Sequence, residues 1–220
     1  MKAILFDLDN TLLDRDTSLN HFIRKQYSQF ATHFGHIPEE QYCQRFIELD
    51  AQGMVWKDRV YQSMVEEFNV DGIAWETLLE DYVNHFAHCC IAYDGVEAVL
   101  AQLRQAGCKM GIISNGKSPF QEKNIEALGI VEYFETILIS EKEGVKKPSP
   151  AIFHKALYAL EVAAHEAVYI GDNPDLDMKG AKDAGMRTIW KKNDRENDCP
   201  WADAVFDDFA ELPMLITELK

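Results

Sequence analysis

The 220-residue sequence predicts an α/β fold, a doubly wound parallel sheet with an inserted helical bundle. Three features support this interpretation. Short β-rich apolar segments alternate with segments of helical periodicity. The apolar segments are apolar on both faces, which is typical of buried parallel strands. One continuous stretch, residues 16–90, contains helical patterns without a convincing strand. We therefore expect a core domain formed by residues 1–15 and 91–220, and a helical domain formed by residues 16–90.

The predicted strands recur along the core. They cover residues 2–6, 109–115, 136–140, 167–172 and 187–190, and the acidic tail, 202–220, predicts one more short strand and a helix. Helical patterns lie between them at 95–107, 119–130, 149–161 and 175–185, and several of these patterns end at glycine, a common helix stop. This alternation predicts a parallel sheet with helices on both faces.

The helical stretch contains four amphipathic segments, at residues 18–34, 38–52, 58–70 and 75–89. The first strand needs the later strands to complete its sheet, so the chain must leave the core near residue 16 and return near Tyr93. This stretch therefore predicts a helical bundle inserted after the first strand.

Composition excludes several classes of protein. With 47% hydrophobic residues the chain can bury a core, which argues against disorder. Its 22 Lys and Arg face 37 Asp and Glu, a net charge of -15, so we expect neither nucleic acid nor an anionic membrane as a partner. The chain shows no signal peptide or long apolar stretch, and its five cysteines have no CxxC spacing, so we expect a cytoplasmic protein with reduced thiols.

Polar residues close several of the predicted strands. They are Asp7 and Asp9 after the first strand, Ser114 and Asn115 at the second, and Asp172 at the fourth, with Asp177 five residues further on. Ligands bind outside the carboxyl ends of strands in an open α/β sheet, so these residues are candidates for one shared site. Two lysines, Lys146 and Lys147, precede Pro148 at the start of a predicted helix.

Such a gathering of carboxylates predicts a cation. Carboxylates within about 4–6 Å of one another repel by a few kcal/mol per pair at an effective dielectric constant near 20. Hard oxygen ligands favour Mg²⁺. With Mg²⁺ and a lysine nearby, Asp7 would stay ionised and could attack phosphorus, while Asp9 could donate and accept a proton.

Four motifs in this order resemble the haloacid dehalogenase-like hydrolase superfamily and extend over nearly the whole chain. The DxDx[T/V] motif matches residues 7–11, and the strand-closing Ser or Thr matches Ser114. The lysine directly before proline matches Lys147, and GDxxxxD matches residues 171–177. The helical stretch resembles the C1-type cap of this superfamily, a bundle that closes over the site. Members with this layout are mostly Mg²⁺-dependent phosphatases that form an aspartyl-phosphate.

The resemblance implies a role for each matching residue. Asp7 would be the nucleophile and a Mg²⁺ ligand, Asp9 the general acid and base whose backbone carbonyl also binds Mg²⁺, and Asp172 the third protein ligand. Ser114 and the backbone at Asn115 would hold the phosphoryl oxygens. Lys147 would offset charge on Asp7 and on the transferring group, and Asp177 would orient water or Lys147. Lys146 is a rival for the lysine role but lies one residue too early.

The resemblance also implies a small phosphorylated metabolite as substrate, such as a sugar phosphate, a phosphoglycolate-like ester or a nucleoside monophosphate. A phosphomutase remains an alternative, whereas Asp9 disfavours a haloacid dehalogenase. Lys57 gives no sign of the Schiff-base role that a phosphonatase requires. A non-catalytic phosphate-binding signalling module of the receiver type would need its phosphoacceptor Asp at a middle strand, where this chain has Ser114.

Some residues of the predicted helical domain have two readings. Arg15 and Arg24 lie where the chain enters this domain, so substrate contact and a solvated helix start both fit their position. The pairs His33–His36 and His85–His88 have i, i+3 spacing, but no third ligand is evident. We therefore interpret these histidines as surface or half-buried side chains rather than as a metal site.

Overall fold

The computed structural model describes residues 1–196 and 198–219. The chain divides into two compact units. The core unit comprises Met1–Asp14 and Ile91–Lys220, and the helical unit comprises Arg15–Cys90. Within the described residues, no helix has both the length and the apolar composition needed to cross a bilayer.

The helical unit contains α1 (Arg15–Gln29), α2 (Ala31–Phe34), α3 (Glu39–Asp50), α4 (Lys57–Glu67) and α5 (Trp75–His85). Short 3₁₀ turns follow α3 and α5, at Ala51–Gly53 and Phe86–Cys89. The segment predicted as one helix over 18–34 forms two helices, because Phe30 takes a non-helical φ of -105° between them.

Aromatic side chains form much of the interior of the helical unit. Phe22 packs edge-on against Tyr82, with ring centroids 5.3 Å apart, and Phe46 packs against Tyr61 at 5.2 Å. The Tyr61 hydroxyl donates to Gln26 Oε1 at 2.7 Å, so its buried oxygen is bonded. These buried rings lie on the apolar faces of amphipathic helices, as the periodicity predicts.

The core unit is built on one parallel sheet. Its strands are β1 (Ala3–Phe6), β2 (Lys109–Ser114), β3 (Thr136–Ile139), β4 (Ala167–Gly171), β5 (Arg187–Lys191) and β6 (Ala204–Phe206). Their order is β3-β2-β1-β4-β5-β6, which confirms the predicted doubly wound α/β fold. Successive strands extend the sheet to one side of β1 and then to the other, so the carboxyl end of β1 lies where ligand crevices form in such sheets.

The helices of the core unit are α6 (Val96–Gln105), α7 (Phe120–Ala127), α8 (Ser140–Glu143), α9 (Pro150–Leu160), α10 (Gly180–Asp183) and α11 (Leu212–Glu218). Buried side chains of α9, including Ile152 and Phe153, pack in one cluster with Leu5 of β1 and Tyr169 of β4. All four residues of β1 are buried, as expected for a central strand.

The two chain segments that border the helical unit are joined within the core. Tyr93 N donates to Leu12 O at 3.1 Å, and Asp14 N donates to Ile91 O at 2.8 Å. These backbone bonds tie the outgoing and returning segments together beside the end of β1. An insertion at this point therefore leaves the sheet continuous.

The segment predicted as a helix over 175–185 departs from regular α-helix. Pro174–Lys179 is π-helical and continues into α10. Met178 N donates to Asn173 O, five residues earlier, at 3.2 Å. The wider turn accompanies the Asp177 carboxylate, which accepts a bond from Asn173 N at 3.0 Å.

Candidate active site

Asp7 lies directly after β1, in a turn that folds back on itself. Its backbone N donates to Ile170 O of β4 at 2.9 Å, so it continues the ladder of the sheet. The carbonyl of Leu8 accepts bonds from the amides of residues 11–13 at 2.9–3.2 Å. This turn brings the Thr11 hydroxyl within 3.2 Å of Asp7 Oδ2, to which it donates.

Lys147 brings a positive charge to Asp7, and its side chain is buried. Its Nζ donates to Asp7 Oδ1 at 2.5 Å, to Asp177 Oδ1 at 2.6 Å and to the Tyr169 hydroxyl at 3.1 Å. The Tyr169 hydroxyl donates in turn to Ile113 O at 3.1 Å. An ammonium group has three protons, so these contacts use each of them and fix its position.

The amide side chain of Asn115 holds the backbone at Lys147. Asn115 Nδ2 donates to Lys147 O at 3.0 Å, and Lys147 N donates to Asn115 Oδ1 at 2.9 Å. Lys146 is exposed. Of the two neighbouring lysines, it is therefore Lys147 that contacts Asp7.

Asp172 lies just beyond the end of β4, and its backbone is held from β5 and the loop that follows. Trp190 Nε1 donates to Asp172 O at 2.8 Å, and Asn193 Nδ2 donates to the same oxygen at 2.9 Å. Arg195 Nη1 lies 3.8 Å from the carboxylate oxygen Oδ2. These contacts fix the strand end that carries Asp172.

Asp177 approaches the backbone of β4 so closely that residue 171 must lack a side chain. A Cβ on Gly171 would lie 2.5 Å from Asp177 Oδ2, which is far inside van der Waals contact. Asp177 Oδ1 accepts from Lys147, and Oδ2 accepts from Asn173 N. The glycine of the fourth motif therefore makes room for the aspartate six residues later.

The carboxylates of Asp7, Asp172 and Asp177 form a compact buried group. One oxygen from each lies within 4.8 Å of the others. Hard carboxylate oxygens at this spacing suit Mg²⁺. Three ionised carboxylates carry more negative charge than one ammonium neutralises, so a further positive charge would be favourable. The residues present therefore fit a divalent cation.

Burial and mutual repulsion perturb the ionisation of these groups. Burial raises the pKa of Asp7 well above its usual value, and Asp177, Asp172 and Asp9 raise it further against the opposing charge of Lys147. Burial and Asp177 likewise raise the pKa of Asp172 to about 7. Burial alone would lower the pKa of Lys147, but the negative charges of Asp177 and Asp7 outweigh burial and raise it. Without a cation the site therefore favours protonated carboxyl groups, and a dication would favour their ionised forms.

Gln121, at the start of α7, hydrogen-bonds to both Asp9 and Ser114. Gln121 Nε2 donates to Asp9 Oδ2 and, at 2.9 Å, to Ser114 Oγ. Gly116 makes this contact sterically feasible, because a Cβ there would lie 2.6 Å from Gln121 Cγ. The structure thus brings the side chains of Asp9 and Ser114 into contact with the same donor, Gln121 Nε2.

Sequence reasoning missed Gln121 and Tyr169. Gln121 lies in the first turn of the helix that follows Ser114, a position that faces the carboxyl ends of the strands and could have marked it. Tyr169 lies within β4, whose residues are all buried, and nothing in the local pattern separates it from a core aromatic. Its contact with Lys147 depends on packing between distant segments.

In the helical unit, Arg15 and Lys57 are held by one carboxylate. Arg15 Nη2 lies 2.9 Å from both oxygens of Asp50, and Lys57 Nζ forms an ion pair with the same carboxylate. Burial would raise the pKa of Asp50, but Arg15 and Lys57 outweigh it and lower this pKa below its usual value. Arg24 is partly exposed and pairs with Glu39 and Glu40.

The first of the two histidine pairs binds backbone carbonyls. His33 Nδ1 hydrogen-bonds with Asp71 O at 3.0 Å, and His36 Nε2 with Phe68 O at 2.9 Å. In the second pair, His85 Nδ1 lies 2.8 Å from Asp81 Oδ1. His33 and His36 therefore link separate segments of the helical unit, whereas His85 bonds within α5.

Several known proteins are similar to this chain in sequence and fold. The family model for haloacid dehalogenase-like hydrolases matches residues 4–191. A glyceraldehyde 3-phosphate phosphatase of Pyrococcus abyssi is 34% identical over 203 residues, covering 87% of this chain and 82% of that protein. A phosphoserine phosphatase of Thermus thermophilus is 27% identical over 220 residues, covering 86% of this chain and 88% of that protein. The crystal structure of a haloacid dehalogenase-type phosphatase from Thermococcus onnurineus superposes with a TM-score of 0.71 at 27% identity, covering 98% of both chains.

Proposed function

Because this chain belongs to the haloacid dehalogenase-like hydrolases and is a phosphoric monoester hydrolase, we propose that it releases phosphate from a small metabolite through phosphorylation of Asp7. One observation carries this proposal. Lys147 Nζ bonds to both Asp7 and Asp177, with Asp172 in the same carboxylate group, at the carboxyl end of the central strand. This arrangement joins a nucleophile, a cation and an acidic pocket for a metal.

In the first step, a carboxylate oxygen of Asp7 bonds to phosphorus while the bond from phosphorus to the ester oxygen breaks. The departing oxygen takes a proton from Asp9, so the product alcohol leaves neutral. Lys147, already bonded to Asp7, offsets negative charge on the transferring group. The Ser114 hydroxyl and the backbone at Asn115 hold the phosphoryl oxygens.

In the second step, water attacks the phosphorus of phosphorylated Asp7. The water gives a proton to Asp9, the bond from phosphorus to the Asp7 oxygen breaks, and inorganic phosphate leaves. Asp7 is again a carboxylate and Asp9 is again protonated. The two residues thus return to their starting states after each turnover.

Asp7, Asp172 and the backbone carbonyl of Asp9 would hold Mg²⁺. Asp177 fits a supporting role better, because its two oxygens already accept bonds from Lys147 and from Asn173 N. When bound, Mg²⁺ supplies positive charge that neutralises the phosphoryl oxygens and allows an anionic nucleophile to approach them.

The names of the relatives support small phosphate monoesters as substrates. A three-carbon ester such as glyceraldehyde 3-phosphate is the first to test, followed by phosphoserine. Sugar phosphates, phosphoglycolate and nucleoside monophosphates complete the panel.

The test measures phosphate release from this panel with Mg²⁺ and with excess chelator, for the wild type and for Asp7→Asn. We expect loss of activity in chelator, recovery with Mg²⁺, and a loss of at least about 10³-fold in Asp7→Asn. Asp175→Asn is the matched control, because Asp175 is exposed near the same strand ends. Full activity after exhaustive chelation would contradict the metal assignment. More than a few per cent of wild-type activity in Asp7→Asn would exclude this nucleophile.

A further inference from the structure

Gln121 is buried between two residues of the proposed mechanism. Its side chain is 3% exposed, and its Nε2 donates to both Asp9 Oδ2 and Ser114 Oγ. We propose that Gln121 is a positioning residue that holds the Asp9 carboxylate and orients the Ser114 hydroxyl for phosphoryl transfer. This inference rests on the proposed phosphatase function.

A neighbour on the same helix bonds to the oxygen of the Gln121 amide. Asn124 is fully buried, and its Nδ2 donates to Gln121 Oε1 at 2.9 Å. Gln121 presents its oxygen to Asn124 and its NH₂ group to Asp9 and Ser114, which is the orientation that an ionised Asp9 carboxylate requires. The two protons of that NH₂ group match the two acceptors.

For Ser114, the contact restricts where the hydroxyl proton can point. A hydroxyl oxygen that accepts a bond from an amide keeps its own proton for another acceptor. Ser114 Oγ can therefore donate to a phosphoryl oxygen. A rotating hydroxyl would make this bond only part of the time, so the Gln121 contact should strengthen phosphate binding through Ser114.

For Asp9, the contact restricts rotation of the carboxylate. Oδ2 accepts the bond from Gln121 Nε2, so the carboxylate is held in one orientation relative to the ester oxygen and the attacking water. Proton transfer is efficient only when the two heavy atoms are within hydrogen-bond reach. Loss of the Gln121 amide should therefore slow the reaction most where the leaving oxygen depends on that proton.

This dependence separates positioning from simple space filling. An alkyl phosphate releases a basic alkoxide, which needs the proton, whereas p-nitrophenyl phosphate releases a weakly basic phenolate, which does not. A residue that only filled the space beside Gly116 would affect both esters by one factor. The difference between the two esters therefore reports on Asp9, and the shared loss reports on phosphate binding.

The test compares wild type with Gln121→Met, which keeps the length of the side chain and removes its polar atoms. We expect kcat/KM to fall by about 10- to 100-fold for an alkyl phosphate and by about threefold or less for p-nitrophenyl phosphate. Gln102→Met is the matched control, because Gln102 is exposed on α6. Equal losses for the two esters, or a variant as fast as wild type or faster, would overturn the assignment to Asp9.

A second measurement needs no turnover. Calorimetric binding of inorganic phosphate, in the presence of Mg²⁺, should weaken by about two- to threefold in Gln121→Met, while the same change in a Ser114→Ala background should cause no further loss. An equal loss in both backgrounds would overturn the orienting role. If the wild type bound phosphate but hydrolysed no ester, the proposed function would fail, whereas the binding cycle would still decide the role of Gln121 toward Ser114.

Discussion

Both units bury a lysine against carboxylates, but the surroundings of the two lysines differ. In the core unit, Lys147 is bonded to Asp7 and Asp177, and Asp172 lies in the same group of acids. In the helical unit, Lys57 shares a single carboxylate, that of Asp50, with an arginine. The core cluster is therefore rich in negative charge, whereas in the helical cluster one anion is bonded to two cations.

The carboxyl groups of the two clusters respond in opposite directions. Burial and repulsion raise the pKa values of Asp7 and Asp172. The two cations overcome burial at Asp50 and lower its pKa. A buried acid paired with cations stabilises its own fold, whereas buried acids that repel one another reduce stability until a cation binds. The comparison therefore favours a structural role for the helical cluster and supports the proposal that the core cluster binds a cation.

The largest effect should come from Lys147→Met. This change removes the ammonium bonded to Asp7 and Asp177, so its positive charge would no longer offset repulsion between these carboxylates and the phosphate dianion. We expect kcat/KM to fall by about 10³-fold and by the same factor for every ester, because Lys147 would contact only the phosphoryl group. Lys146→Met, at the exposed neighbour, should retain activity. A variant of Lys147 that reorders substrate preference would contradict this division.

Asp50→Ala should reduce stability more than any single change at the surface. It deletes the buried carboxylate to which Arg15 and Lys57 are both bonded. We expect a loss of about 3–5 kcal/mol in the free energy of unfolding, measured by urea denaturation. Glu48→Ala, which removes an exposed partner of Arg45, should cause little change. Equal stability of the two variants would show that the helical cluster is not structural.

A smaller effect should appear in the pH dependence of the metal-free protein. Because the pKa of Asp172 is raised from 3.8 to about 7, the folded state binds its proton more tightly than the unfolded state. Its contribution to stability is present below pH 4 and is lost as the pH rises through about 7, with a slope of at most about 1.4 kcal/mol per pH unit. Denaturation in chelator at several pH values should show this decline, and Asp172→Asn should reduce it.

The sign of this effect distinguishes the two clusters. Asp50 has a lowered pKa, so its contribution is present above pH 4 and is lost only as the pH falls further. Mg²⁺ should restore stability at pH 7 to the wild type and less so to Asp172→Asn, because a ligand that binds only the folded state stabilises it. A wild-type protein whose stability rose steadily from pH 4 to 7 in chelator would contradict the raised pKa of Asp172.

Local patterns predicted the strands of the core better than the helical segment at 175–185. Strands β1 and β4 agree with their predicted segments to within one residue at each end, because runs of buried apolar residues mark them. The π-helical turn at 174–179 was not predicted. It contains Asp177, which bonds to Asn173 and to Lys147, and the second of these bonds spans 30 residues of sequence.

The sequence by itself determined the α/β class and the set of residues at the strand ends. Apolar periodicity is a local property, and the carboxyl ends of parallel strands share one edge of the sheet, so Asp7, Ser114 and Asp172 could be assigned to one site. Only the tertiary structure decided which groups touch within it. Lys147, and not Lys146, reaches Asp7 across 140 positions of the chain, and Gln121 reaches Asp9 across 112. Such contacts depend on how distant segments pack, which no local pattern in the chain records.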